Sequence, residues 1–425
     1  MASSRDLLQN IQQGDLDKTL VHLYGKAALQ RQRKRYADAL RQFGRYFGAA
    51  QDVRIYSVPG RTELCGNHTD HQMGIGLAAA VERDIIAVAA ARNNEVVRVK
   101  SYGFDKLDIV DLRLKDRQSA EHTHSASLIR GIGCTIEQRS GKIGGFDAYT
   151  TSDVLRGSGL SSSAAFETMM GTIWNDLYNE MRFSPLEIAQ IGQYAENSYF
   201  GKPSGVLDPL TCATGGIICV DMEREGAPTI SKIKHPEFAQ DIVLCITDTG
   251  GSHSELTEEF SQVRDEMESV AKVLGCKKLR QASEKDLWAQ LPQIRKVCGD
   301  RAALRALHFY QECRRSEQAY RDLSAGDVAS FLRRIQESEH SICQYNQNTF
   351  CHTTEQPISL ALAVSQSVLQ GRGAYRMQGS GFAGTIQAFV PKDLLPQYIQ
   401  RMEAVFVPGC CDVMRVRENG AMRVA

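Results

Sequence analysis

Residues 155–167, LRGSGLSSSAAFE, limit what this chain can fold into more than any other stretch. Gly157 and Gly159 permit turns that bulkier residues resist. Ser161, Ser162 and Ser163 then stand where a helix begins, and Ala164, Ala165 and Phe166 continue in helix-forming residues. A glycine turn feeding a helix leaves backbone N–H groups unpaired at the positive end of the helix dipole, which suits a phosphate. Serine hydroxyls there can cap the helix or ligate a cation carried by the phosphates. An ordinary capped helix start reads the same way locally, so the decision rests on partners elsewhere in the chain.

With 425 residues the chain can bury a sizeable core, and two domains are expected. Lys+Arg and Asp+Glu are both 50, so no general field favours nucleic acid or an anionic membrane. The basic run RQRKR at 31–35 reads as a solvated helix face. The polar N-terminus lacks the apolar core of a signal peptide, and no apolar run reaches membrane-spanning length. Twelve scattered cysteines, without a CxxC, point to reduced thiols in a cytoplasmic protein.

In chain order, apolar spacing predicts a helix over 16–47 and a strand over 53–58, followed by the polar, turn-rich segment 60–74. Strands are expected over 84–91, 96–102 and 145–151, and helices over 125–138, 161–178 and 185–199. Strands follow at 216–220 and 242–247, then a charged, largely helical region over 255–366. A glycine turn and a strand cover 376–390, and a closing helix covers 392–405. The change of composition suggests domains over 1–215 and 216–425.

Segment 60–74 crowds Arg61, Glu63, Asn67, His68, Asp70, His71 and Gln72 behind a strand, a fan of donors and acceptors suited to a polyol. His68 and His71 with Asp70 lack a well-spaced third partner for a metal. Asp208 lies among Val206, Leu207 and Leu210, and a shielded carboxylate can receive a hydroxyl proton. An Asp before a proline is also a common helix cap. Glu196, twelve residues earlier, can serve a magnesium ion or simply face solvent. GSGFAG at 379–384 spells GxGxxG, but the β-branched TIQAFV that follows reads as a strand, which rules out a dinucleotide fingerprint.

These stretches, in this order, resemble the GHMP kinase superfamily and, within it, the galactokinases. Segment 60–74 is similar to GRVNLIGEHTDYNGG, 155–165 to PxGxGLSSSAA, 376–384 to RMTGGGFGG, and GVLD at 205–208 to GIMD. The resemblance implies an α+β fold, with an N-terminal domain like ribosomal protein S5 domain 2, a C-terminal ferredoxin-like domain and a site between them. It implies an ATP- and Mg2+-dependent sugar kinase, most simply one making α-galactose 1-phosphate. In that reading Asp208 orients or deprotonates the anomeric hydroxyl, and Arg61 stabilises charge beside it. Asn67, His68, Asp70 and Phe260 hold the sugar, while Gly157, Ser158, Gly159, Leu160, Ser161, Ser162 and Ser163 wrap the phosphates. Ser163 and Glu196 lie near the magnesium.

Asn67 stands where galactokinases carry Glu, His71 and Gln72 replace a Tyr and its neighbour, and Phe260 replaces a Tyr. Galacturonate is therefore an alternative sugar, and a non-catalytic sugar and ATP sensor an alternative function. The expected partner is a small sugar, with neither nucleic acid nor membrane, and the expected state is a monomer. The scheme requires the carboxylate of Asp208 within about 10 Å of the phosphate loop.

Overall fold

The computed structural model describes residues 3–48, 52–154, 159–202, 204–233, 238, 241–251, 257–382 and 384–425. Two sheets organise the chain. The strands are β1 (Arg54–Cys65), β2 (Ile75–Ala91), β3 (Val96–Ser101), β4 (Leu107–Asp111), β5 (Phe146–Ser152), β6 (Ile217–Asp221), β7 (Thr229–Lys232), β8 (Ile242–Asp248), β9 (Ala374–Met377), β10 (Thr385–Pro391), β11 (Cys411–Met414) and β12 (Met422–Arg423). The first sheet runs β12-β1-β2-β5-β3-β4, with β6 on the early half of β2 and β7 outside it. It thus takes in strands beyond residue 216. The second runs β11-β8-β10-β9, wholly antiparallel. Numbered within that sheet the order is 4-1-3-2, that of a ferredoxin-like unit.

The helices are α1 (Ser4–Gln13), α2 (Asp17–Tyr24), α3 (Leu29–Phe47), α4 (Ser125–Gln138), α5 (Ser162–Tyr178), α6 (Pro185–Ala195), α7 (Leu207–Thr214), α8 (Thr257–Val273), α9 (Glu284–Cys298), α10 (Asp300–Ser324), α11 (Val328–Ser341), α12 (Pro357–Leu369) and α13 (Leu395–Val405). The fold is α+β, as expected. One face of the first sheet buries Leu77, Val97, Ile129, Phe146, Ile173 and Trp174 among α4, α5 and α6. The other face carries Ile55, Ile86 and Val88, which α1–α3 cover with Leu7, Ile11, Tyr36 and Phe43. Fully buried Asp84 clamps that layer, accepting from Arg35 Nη1 at 2.6 Å and Arg417 Nη1 at 3.1 Å. A third core lies between the second sheet and α12 and α13.

The structure corrects several local expectations. The helix read over 16–47 breaks at Gly25, whose φ of +80° leaves the helical region. Segment 60–74 is not a single loop, because β1 continues through Pro59 and Gly60 to Cys65. It does so by register shifts at Pro59/Arg61 and Glu63/Cys65. Such bulges re-aim side chains at the rim of a sheet. The helix over 392–405 does not close the chain: β11 and the two-residue β12 follow, and β12 pairs with β1. The turn 379–384 joins two antiparallel strands, as its sequence required. All twelve cysteines are free, Cys410 and Cys411 holding their sulfurs 4.0 Å apart. Among the described residues no helix is long and apolar enough to cross a membrane.

Candidate active site

Four segments meet at the end of β1. Gly60 lies against the loop that starts α5, so closely that a Cβ there would sit 2.9 Å from the Leu160 carbonyl oxygen. The Arg61 N–H donates to that same carbonyl at 3.0 Å. The Arg61 guanidinium then reaches outward. Its Nη1 donates to the Gly159 carbonyl at 2.6 Å, its Nε to Asp208 Oδ1 at 2.5 Å, and its Nη2 to Asp208 Oδ2. Ser161 Oγ donates to Asp208 Oδ2 at 2.7 Å. The expected convergence is therefore met, with Asp208 in direct contact with the loop.

Gly159 has φ +69°, and a Cβ on it would meet Thr385 Oγ1 at 2.4 Å. Its carbonyl also accepts from Gln378 Nε2 at 3.1 Å, which ties the loop to the β9–β10 turn. Ser161 is the left-handed N-cap residue of α5, yet its side chain makes no capping bond because it is spent on Asp208. The N–H groups at the start of α5 are thus left uncapped by that hydroxyl, beside Ser162 and Ser163. Leu160 is buried at the base of the loop. Gly157 and Ser158 lie outside the described residues.

Asp208 sits in the first turn of α7 but does not cap it. About a third of its side chain is exposed (32%), against 8% for Arg61. Burial pushes the carboxyl pKa up, but the Arg61 charge and the hydrogen bonds from Arg61 and Ser161 bring it below the ordinary range. Asp208 is consequently an anion at neutral pH with spare acceptor positions. Arg61 responds in kind: burial lowers its pKa, and Asp208 more than reverses this.

Asp70 follows in the short helical turn after Asn67 and His68. Its Oδ1 accepts from the His71 N–H at 2.8 Å, and Oδ2 lies where a Cβ on Gly205 would have to go. Burial, then Asp208, then Glu63 push its pKa up to about 6. The sign follows directly. A carboxyl whose folded pKa is raised is destabilised in its ionised form, so Asp70 weakens the fold as pH rises from about 4 through 6. Asp70→Asn should therefore be more stable than the parent at pH 8, by about 3 kcal/mol, and nearly equal to it at pH 4. Urea midpoints at the two pH values check this, and an equal gap at both pH values would refute it.

His68 Nε2 donates to the Ser380 carbonyl at 3.0 Å, and burial lowers its pKa, so the ring is neutral. Asn67 lies differently from expectation. It is 1% exposed, and its amide is fully engaged. Nδ2 donates to Gly379 O at 2.7 Å and Glu63 Oε1 at 3.3 Å, while Oδ1 accepts from Asn346 Nδ2 at 3.1 Å and Asn348 Nδ2 at 2.9 Å. As placed, its side chain has no group left for a sugar, and it braces the loop instead. Phe260, in the first turn of α8, is half-buried with its ring 5.7 Å from that of Phe382.

Glu196 is buried (4%) at the start of the wide turn after α6, where the sequence alone allowed a solvated helix residue. Its Oε1 accepts from Lys202 Nζ at 3.0 Å. Beside it is a residue that sequence reasoning missed. Glu167, four residues beyond Ser163 on α5, is 1% exposed, and neither carboxylate oxygen has a hydrogen-bond partner among the described residues. Burial, then the charge of Glu196, push its pKa well above the usual carboxylate range. Its signal was the i, i+4 spacing from Ser163, which places both on one helix face. Ser163, Glu196 and Glu167 offer only oxygen donors, one pair orphaned, and that is a donor set a magnesium ion takes. The other missed residues are the buried props His308, Asn346 and Asn348; Glu63 and Arg376, which lie in the motifs, also prove to be buried props. Arg376 Nη2 donates to Glu63 Oε1 at 2.8 Å, and His308 Nε2 to the Asn67 carbonyl at 2.9 Å.

Known proteins resemble this chain in sequence segments and in fold. The family description "GHMP kinases N terminal domain" matches residues 127–216, and "Galactokinase galactose-binding signature" matches 41–91. The structure of Lactococcus lactis galactokinase complexed with galactose superposes with a TM-score of 0.79 at 22% identity, over 90% of this chain and 98% of that one. L. major mevalonate kinase in complex with R-mevalonate gives 0.56 at 15% identity, over 87% and 97%. A D-glycero-D-manno-heptose 1-phosphate kinase from Bacteriodes thetaiotaomicron gives 0.56 at 15% identity, over 87% and 98%.

Proposed function

We propose that this chain, which carries the GHMP kinase N-terminal domain and the galactokinase signature on a GHMP kinase fold, is an ATP-dependent sugar kinase that phosphorylates the anomeric hydroxyl of galactose. The observation that carries the reading is the Asp208–Arg61–Ser161 cluster at the uncapped start of α5. Phosphoryl transfer asks mainly for positioning and for positive charge near the moving group. The start of α5 and the Gly159 turn receive the phosphates. Asp208 accepts the hydrogen bond of the attacking hydroxyl and holds its oxygen towards the γ-phosphorus. Because Arg61 keeps that carboxylate weakly basic, the proton crosses late, once the new P–O bond has made the hydroxyl acidic. Arg61 then faces the charge that develops between them.

Ser163 and Glu196 hold the magnesium ion, which when bound neutralises phosphate charge and orients the triphosphate. His68 and Asp70 take sugar hydroxyls, and Asn67 and Phe260 shape the pocket around them. Charge balance supports a neutral sugar. Arg61 is paired with Asp208 and Arg376 with Glu63, which leaves Asp70 to repel a carboxylate. Galactose is therefore favoured over galacturonate.

The test is ADP release with galactose, galacturonate, N-acetylgalactosamine and mevalonate, followed by identification of the phosphorylated carbon. Galactose turning over fastest, at C1, is the expected result. Galacturonate turning over fastest would replace the sugar assignment. Binding of sugar and ATP without turnover would make the protein a sensor.

A further inference from the structure

Among the described residues, Glu167 has both carboxylate oxygens buried and without a hydrogen-bond partner. A carboxylate shut away from water with no donor to either oxygen is costly, and native structures seldom keep one without a counterpart. The side chain crosses from α5 to α6 at Gly192, where a Cβ would lie 3.2 Å from Glu167 Oε2. Gly192 is one turn before Glu196 on the same helical run. The nearby ammonium, Lys202, bonds Glu196 rather than Glu167, and its side chain is 57% exposed. The orphaned oxygens therefore sit between the helix that presents Ser163 and the one that leads to Glu196.

We propose that Glu167 is a third protein ligand of the divalent cation, joining Ser163 from one turn further along α5 and Glu196 from the end of the neighbouring helix α6. The inference rests on the kinase reading given above and adds to it a residue outside the phosphate loop. Two carboxylates supply more negative charge than one, so the site binds the cation before nucleotide arrives. Lys202 occupies the second charge position at Glu196 until then. A divalent cation also bridges α5 to α6, which gives its arrival a mechanical consequence: the two helices are cross-linked beneath the phosphate site.

Mn2+ alone, followed by its electron paramagnetic resonance signal in nucleotide-free protein, tests the assignment. Glu167→Gln has nearly the shape of the acid and should fold with a urea midpoint no lower than the parent's when metal is absent. It should bind Mn2+ at least tenfold more weakly than the parent and lose the rise in melting temperature that Mn2+ confers. Mn2+ affinity within twofold of the parent would overturn the proposal, because a merely buried acid is replaced by its amide without effect on metal. If the Gln variant does not fold, Glu167→Asp decides by the same criteria, since it keeps the charge but withdraws it by one methylene. Glu196→Gln separates the two readings. Loss of Mn2+ in that variant but not at Glu167 removes only Glu167, whereas no Mn2+ binding by the unsubstituted protein removes the metal site altogether.

Discussion

Asp208→Asn should lower turnover about a thousandfold while leaving the affinity for a non-hydrolysable ATP analogue within a factor of about three. The asymmetry follows from what the carboxylate touches. Its partners are Arg61 and Ser161, both at the transferring end of the site, and the rest of the phosphate loop is held by Gly60, Gln378 and backbone. An amide keeps one acceptor for Arg61 but brings a donor against the guanidinium and cannot take a proton. The same change loosens the fold, because Arg61 is 6% exposed and loses a charge-assisted bond. A loss of about 2 kcal/mol is expected. Kinetics under saturating sugar and ATP, with calorimetry for the analogue and urea titration for stability, separate the effects. Turnover within tenfold of the parent would remove Asp208 from the reacting atoms.

The pairing with Arg61 also constrains the pH profile. Asp208 is held below the ordinary carboxylate range and stays ionised through neutrality. An acid limb near pH 6 in the sugar dependence would then belong to Asp70, and Asp70→Asn should abolish it.

What the sequence made legible here is what local chemistry controls. The helix Ser125–Gln138 follows from apolar spacing, and the β9–β10 hairpin from a β-branched run after glycines. Arg61 and Ser161 stand out because charged or hydroxylic groups close to glycines are conspicuous, Asp208 because it lies among apolar residues, and Glu196 chiefly through the family resemblance. Their being in one place is not a local property. Arg61 reaches Asp208 across 147 residues of chain, and only the bulge at Gly60 aims it there. That bulge hides in a proline–glycine pair that reads as the end of a strand.

The buried props were less legible still. Glu167 sits in a helix-forming run and reads as an ordinary helix residue, because nothing nearby in sequence announces Gly192 and Glu196 across from it. The partners of Asn67 lie 279 and 281 residues further on. A polar side chain in a crowded loop invites a ligand as its explanation. Distant amides satisfy it equally well, and sequence spacing carries no trace of them.

Asn67→Glu should accordingly act on the fold and not on the choice of sugar. The Asn67 amide nitrogen faces two acceptors, the Gly379 carbonyl and the Glu63 carboxylate, so a carboxylate oxygen placed there meets only negative charge. The site is closed to water, and the nearby cations Arg376 and Arg305 are already committed, to Glu63 and to Glu266. The expected cost is about 4 kcal/mol, or uptake of a proton that holds the new acid neutral. Asn67→Asp, which changes charge at nearly constant shape, should lose a similar amount, and both losses should shrink at pH 5, where the acid protonates. Among molecules that remain folded, the ratio of galactose to galacturonate turnover should match the parent. If Asn67→Glu is as stable as the parent and shifts that ratio tenfold or more, its side chain lies in the sugar pocket and the amide knot with Asn346 and Asn348 is not the working arrangement.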